Sequence, residues 1–274
     1  MNRRMLSPAW KTWCTRLVKV VLGMNGAALI IALRRGPTAA WNFSLRNFEE
    51  SQALKKISRQ TWKMLGQIPE VSLLELLGDQ PVPVQVEVRR YEDGILFLEH
   101  SLALVALAVR ENPPVVLEIG TFCGHTTRLL AQNLKQSIIH TVDLPADYVV
   151  GRDPADALPK DDFHLIAQRT VGREYRNRPE AERIVQHWAD TAQWDFSLAS
   201  GATFFFIDGS HTYEYAKNDS EKCFQLCRGR GTFLWHDCEL SHPGVLRFLV
   251  EWREKGRNIV RIRGTTLAYL KTSS

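Results

Sequence analysis

From Val115 to the C-terminus, unbroken apolar runs alternate with stretches whose apolar residues recur every three or four positions. The runs at 115–119 (VVLEI), 138–143 (IIHTVD), 183–187, 203–208, 231–236, 258–263 and 266–271 predict strands, because runs rich in Val, Ile and Phe suit strands covered on both faces. The stretches 125–135, 214–227 and 243–255 predict the helices between them. Such alternation implies an α/β fold in which a mostly parallel sheet is covered by helices. The last two strands flank Gly264 closely enough to pair as an antiparallel hairpin at the sheet edge.

Upstream of Val115 the pattern changes. Residues 1–80 read as a helical appendage, with an amphipathic stretch through Phe48, Leu54, Ile57, Trp62 and Leu65 that ends at the PVP of Pro81 to Pro83. Residues 81–274 form the second domain, which residues 93–110 enter as one buried helix capped by Asp93 and stopped before Asn112-Pro113-Pro114. Residues 144–181 interrupt the alternation with Pro, Asp, Arg and Gly and read as a lid over a pocket. The apolar run 20–33 is shorter than the roughly 20 residues a membrane span needs. It carries Asn25 between basic flanks, so it reads as an interfacial or protein-packed helix.

Charge and cysteine content refine this picture. The net charge of +5 is modest for 274 residues, but Arg3, Arg4, Lys11, Arg16, Lys19, Arg34 and Arg35 meet no acid. That basic segment points to peripheral contact of residues 1–40 with an anionic membrane surface rather than to nucleic acid, since the aromatic-and-basic interleaving typical of an RNA-binding module does not appear with it. Five cysteines without a CxxC pair fit a reducing cytoplasm, peripheral to the inner face of the membrane, and stand against secretory cleavage after Ala40. Cys223 and Cys227 share a helix face and read as packing.

The candidate chemistry begins where the first strand of the alternation ends. After VVLEI the chain reads Gly120-Thr121-Phe122-Cys123-Gly124-His125-Thr126, glycines that permit close backbone approach followed by a helix that offers its N-terminal amides. The next strand ends at Asp143, placed to accept hydrogen bonds from both ribose hydroxyls. A dinucleotide fold needs GxGxxG to seat a pyrophosphate, whereas this chain has ExGxxxG. Glu118 would repel phosphate and suits the cationic amino-acid portion of S-adenosylmethionine.

On VLEIGTFCGHTT, TVDLP at 141–145, FIDGSHTYEYAKNDSE at 206–221 and LWHD at 234–237, the sequence resembles the class I methyltransferases, and within them a bacterial branch of macrolide and sugar O-methyltransferases. The resemblance covers roughly residues 93–271. It implies a Rossmann-like, doubly wound, seven-stranded sheet with S-adenosylmethionine as methyl donor. It also implies a substrate pocket above the strands that end at Asp208 and Asp237. Asp190 in HWADT matches the acid that lies beside the adenine in that family.

Methyl transfer to an alcohol needs a base as well as a donor. His211, delivered at the end of strand 203–208, is the general-base candidate, because imidazole accepts a proton near neutral pH. Parallel neighbouring strands would bring Asp237 near Asp208, and two converging carboxylates share a proton or bind a cation. The resemblance implies a divalent metal there, commonly Mg2+, with His236 where the branch has a carboxylate. The competing structural readings are His211 as a helix cap, His236 as a core histidine bonded to backbone, Asp219 as structural, and Trp235 with Phe204 to Phe206 as core. Arg173, Arg176 and Arg178 read equally as an acidic-substrate clasp or a solvated lid surface.

The acceptor expected is a hydroxyl on a small molecule or glycan. Nearly balanced charge over 115–274 and IDGS in place of an NPPY-like tetrapeptide speak against nucleic acid. A metal-dependent hydroxylase or hydrolase, a non-catalytic S-adenosylmethionine-binding protein and a homo-oligomeric assembly are the alternatives carried forward.

Overall fold

A computed structural model describes residues 59–88, 94–145 and 169–272. The chain divides into two compact units, Met1–Gln60 and Thr61–Ser274, and the description concerns the second. The apolar run 20–33, the basic segment and most of the predicted lid lie outside the described residues. Among the described residues no helix is long and apolar enough to cross a membrane.

Eight strands make one sheet: β1 (Glu70–Val71), β2 (Val115–Ile119), β3 (Ile138–Asp143), β4 (Ile184–Trp188), β5 (Phe204–Ile207), β6 (Gly231–Trp235), β7 (Val260–Ile262) and β8 (Ala268–Thr272), in the order β1-β7-β8-β6-β5-β2-β3-β4. Only the pairings of β8, with β6 and β7, are antiparallel. Seven strands fall where hydrophobic patterning predicts them. The eighth corrects the helical reading of residues 1–80: Glu70 and Val71 pair parallel with Arg261 and Ile262. A two-residue strand carries no period to read, and Leu65 and Ile68 before it belong to the core of the sheet domain. The compact unit therefore begins at Thr61, twenty residues ahead of the boundary the sequence suggests.

The central strand shows why its sequence is continuously apolar. Side chains alternate along β5, so Phe204 and Phe206 pack with Leu104 and Leu107 of helix α2 (Leu98–Glu111), whereas Phe205 points to the opposite face. There Phe205 stacks on Phe233 at 4.7 Å, beside Phe248 and Trp252 of helix α5 (Pro243–Glu254). Trp235 joins that face and donates from Nε1 to Ser220 Oγ of helix α4 (Tyr213–Leu226) at 2.8 Å. Trp235 and Phe204 to Phe206 are thus core, not a stacking platform.

Helix α1 (Leu73–Leu77) is short and carries a capping box between Ser72 and Glu75. Helix α3 (His125–Asn133) follows the glycine loop, and Arg183 donates to the carbonyls of Ala131, Leu134 and Ser137 at its C-terminal end. Helix α2 starts four residues later than the capping reading of Asp93 implies: its N-cap is Phe97, and residues 94–97 form a loop instead. That loop has a function-relevant place, since it closes one wall of the cavity described next.

Candidate active site

Strand order reverses between β2 and β5: the chain proceeds outward to β3 and β4, then returns to place β5 on the other side of β2. Ligands of open α/β sheets bind at the carboxyl ends of strands at such a point. A cavity of about 390 Å3 lies there, bounded by the loops after β2, β3, β5 and β6 and by residues 94–97. Its size is that of a small-molecule site.

The loop after β2 is held by backbone contacts that only glycine permits. Gly120 has φ +97°, and a Cβ on it would overlap the Asp208 carbonyl oxygen at the end of β5. Gly124, at φ +82°, caps α3, and a Cβ there would meet the Tyr175 ring at 2.5 Å. Phe122, at φ +47°, is held in the left-handed region, with its amide donating to Asp143 Oδ2 at 2.7 Å. Arg169 pairs with Asp143 Oδ1 at 3.2 Å. Burial raises the Asp143 carboxyl, while Arg169 and the Phe122 amide oppose that shift.

Gly120, Thr121, Phe122, Thr126, Asp143, Asp190, Asp208, His211, His236 and Asp237 all line this cavity. Glu118 and Gly124 do not. Alternation along β2 turns Glu118 inward instead, where Thr127 and Thr141 both donate to its Oε2, and Oε1 is buried with no hydrogen-bond partner. Glu118 therefore sits beneath the loop: Tyr175 donates to Gln186, Gln186 to Thr121, and Thr121 bonds Thr141, which donates to Glu118.

Burial raises the Glu118 carboxyl to about 8, against the opposing bonds from Thr127 and Thr141. A carboxyl whose folded pKa exceeds its ordinary value of 4.5 stabilises the fold fully below that value, and the contribution is lost as pH rises through about 8. Glu118→Gln keeps an acceptor for both threonines and cannot ionise. It is expected to be more stable than the wild type above that pH by a few kcal/mol, read by urea unfolding at pH values below 4.5 and above 8. Parallel pH profiles for the two proteins would refute a buried acid at this position.

On the β4 side of the cavity Asp190 accepts from the Ala192 amide at 2.8 Å and from the Tyr215 hydroxyl at 3.1 Å. Asp219 lies behind, bonded by Asn218, and burial pushes its carboxyl up to about 6. It lines the cavity while serving the packing of α4.

The opposite end gathers imidazoles. His211 Nε2 lies 2.7 Å from Asp237 Oδ2, and His236 Nδ1 lies 3.1 Å from Asp208 Oδ1 and 3.0 Å from Asp237 Oδ1. His242 Nδ1 approaches the same Asp237 oxygen at 3.5 Å. His236 Nε2 faces His100 Nδ1 at 3.3 Å, and the Thr266 amide donates to His100 Nε2 at 3.3 Å. His211 does not cap α4; Thr212 does, accepting from the Tyr215 amide. His236 bonds side chains, not backbone, in its ring contacts.

Asp237 itself has φ +58°, a conformation costing a non-glycine residue about 1–3 kcal/mol. Burial alone would raise its carboxyl, but the bonds from His211 and His236 reverse that and hold it well below the usual carboxylate range. Burial likewise opposes charge on His236, yet Asp208 and Asp237 hold its pKa well above the ordinary value.

Two donor sets within reach of one cation occur among the described residues, Asp208–His236–Asp237 and His211–Asp237–His242. Their spacing suits a cation, but a proton on His236 Nδ1, which faces both carboxylates, would exclude it from the first set, since a ligand nitrogen must present its lone pair.

His100, His242, Arg169 and the 94–97 loop escape sequence reading, because none belongs to a motif and each reaches the cavity from a different element, while Tyr215, inside the 206–221 motif, carries no signal of its own for this place. Arg173, Arg176 and Arg178 are exposed and do not line it. Cys223 is buried in α4 and Cys227, which caps the C-terminus of α4, is half-buried, which fits packing.

Residues 117–238 match a family model described as a methyltransferase domain. No curated protein matches the chain significantly. Among solved structures, cofactor-bound Rv0187 from MTB is 16% identical, with 67% of this chain and 84% of that chain covered and a TM-score of 0.45. The O-methyltransferase TomG from Streptomyces achromogenes, in complex with SAM, is 15% identical over 66% and 83%, with a TM-score of 0.43. The O-methyltransferase from Bacillus cereus, in complex with SAH, is 15% identical over 66% and 84%, with a TM-score of 0.44. Similarity at that level does not decide function; what is shown is that residues 117–238 of this chain match a methyltransferase-domain model.

Proposed function

We propose that the protein is an S-adenosylmethionine-dependent O-methyltransferase acting on a hydroxyl of a small molecule or glycan. The observation that carries this reading is the His211–Asp237 pair at 2.7 Å, opening into the same cavity as the glycine loop and Asp143. Gly120, Thr121, Phe122 and Thr126 would cradle the methionine portion, Asp143 the ribose and Asp190 the adenine edge, with the Asp208 backbone closing the floor. The donor supplies an activated methyl group and leaves as S-adenosylhomocysteine.

The chain's own residues then have two tasks. His211 accepts the acceptor's hydroxyl proton, which Asp237 makes favourable by orienting the ring and stabilising the imidazolium. Residues 94–97 and Tyr215 cover the cavity walls and limit water at the reacting oxygen. A divalent cation at Asp208, His236 and Asp237 would serve as a Lewis acid on that oxygen. Because the protons of the site oppose it, no step is assigned to it. Cytoplasmic residence and contact of residues 1–40 with an anionic membrane belong to the same proposal and are tested by liposome flotation of the full chain against one lacking those residues.

The cofactor assignment is tested by calorimetry. The full chain is expected to bind S-adenosylmethionine, and Asp143→Ala is expected to weaken binding by about 10- to 100-fold, the worth of hydrogen bonds to a charged group. Absence of binding to the wild type would remove the proposal. Product mass separates methylation from hydroxylation or hydrolysis on the same site.

A further inference from the structure

We infer that the Asp208–Asp237 pair is closed by a proton on His236 rather than by a metal ion, and that His100 is the positioning residue that keeps the proton there. The inference follows from bond directions. The Thr266 amide can only donate, so His100 Nε2, at 3.3 Å, presents its lone pair. The His100 proton is then on Nδ1, and that atom faces His236 Nε2 at 3.3 Å. His236 Nε2 must accept, so the His236 proton is on Nδ1. That atom lies 3.1 Å from Asp208 Oδ1 and 3.0 Å from Asp237 Oδ1, where one N–H bridges two carboxylates.

A main-chain amide thus sets two ring tautomers in series. The relay runs from Thr266 through His100 and His236 to the acids, and every donor in it meets an acceptor. Ligation of a cation by His236 Nδ1 would move the proton to Nε2, facing the His100 Nδ1 proton. Transferring that one in turn would set His100 Nε2–H against the Thr266 amide. One donor would then meet a donor inside a buried site, whichever ring turned over. A protonated imidazole between the acids would occupy Nδ1 as well, while setting its Nε2–H against the His100 Nδ1 proton, so neither protonation state of His236 frees Nδ1.

The arrangement gives the His236 position a role that a carboxylate there could not fill. Asp, lacking an N–H, would add a third negative charge and require a cation to hold the group together. His236 supplies its own bridging donor, and Asp237 is left oriented toward His211. His100 lines the cavity from the first turn of α2, next to the 94–97 loop, and bonds His236 there.

The test titrates Mn2+ into the full chain, followed by electron paramagnetic resonance, and Co2+, followed by its visible ligand-field absorption. Neither readout depends on S-adenosylmethionine binding or on an identified acceptor, so failure here is distinct from failure of the methyltransferase reading. The wild type is expected to show no Mn2+ or Co2+ signal that Asp208→Asn abolishes. His236→Asp is expected to gain one, with at least a tenfold rise in affinity. His100→Leu, which releases His236 Nε2 to carry the proton, is expected to gain Co2+ absorption. Stoichiometric wild-type binding that both Asp208→Asn and His236→Ala abolish would overturn the inference. Failure of a folded His100→Leu protein to gain absorption would overturn the role of His100. A wild-type signal indifferent to Asp208→Asn, with a second site appearing in His236→Asp, supports it.

Discussion

Replacement of His211 by alanine is expected to slow methyl transfer by about 100- to 10,000-fold, the range over which a positioned general base contributes, while S-adenosylmethionine affinity changes little. His211 stands at the end of β5 beyond Asp208, and its contact is with Asp237 at 2.7 Å, on the side of the cavity away from Asp143 and Asp190. A sulfonium methyl group needs no activation by the enzyme, so a missing base acts on the nucleophile alone. The assay is transfer of labelled methyl groups into small-molecule fractions of a lysate, then into the acceptor so identified, with calorimetry of cofactor binding alongside. Asp237→Asn should fall nearly as far, since an amide cannot stabilise the imidazolium. Full turnover by a His211→Ala enzyme would leave the cofactor assignment intact and move the base elsewhere, with His242 the next imidazole against Asp237.

Gly120→Ala is expected to abolish cofactor binding and to destabilise the domain by about 2–4 kcal/mol. Two independent terms act on that one methyl group. The backbone at φ +97° disfavours any L side chain, and the Cβ would collide with the Asp208 carbonyl, which belongs to a neighbouring strand end and cannot swing aside. The resulting separation of the β2 and β5 ends would widen the cavity floor, where the donor is proposed to rest. Gly256→Ala serves as the comparison: its φ is +88°, but nothing lies within 4 Å of the added Cβ. That variant isolates conformational strain, about 1 kcal/mol, from steric overlap. Equal unfolding midpoints for the two variants would show that close packing of the strand ends contributes nothing.

Legibility in the sequence followed how local the determining interaction is. Phe204, Phe205 and Phe206 announce a strand buried on both faces, because that is a property of consecutive residues. The glycine loop is equally readable, since Gly120 and Gly124 mark backbone that turns left-handed within five residues. Asp143, Asp208, His211, His236 and Asp237 follow from the rule that function collects at carboxyl ends of strands, Asp190 from the family resemblance of HWADT, and all six line the cavity. Glu118 shows where the rule misleads: one position before the strand's end, its parity sends the side chain under the loop to Thr127 and Thr141. Glu70 and Val71 show the opposite failure, as two residues cannot display a period and pair only because β7 offers an open edge.

The cavity's own wall divides the same way. Residues 94–97 were absorbed into a helix by apolar content, but the helix starts at Leu98, and the loop before it faces the site. His100 and Thr266 are 166 positions apart, and no pattern in the chain links them.

The sequence by itself determined the alternating α/β order, the strand that feeds the glycine loop and the residue types gathered at strand ends, because propensity, periodicity and turn chemistry act over a few neighbouring residues. The tertiary structure alone decided which face Glu118 takes, which helix brings His100 to His236, and which ring nitrogens carry protons. Those depend on contacts between elements far apart in the chain, where one amide, that of Thr266, fixes the direction of every bond that follows.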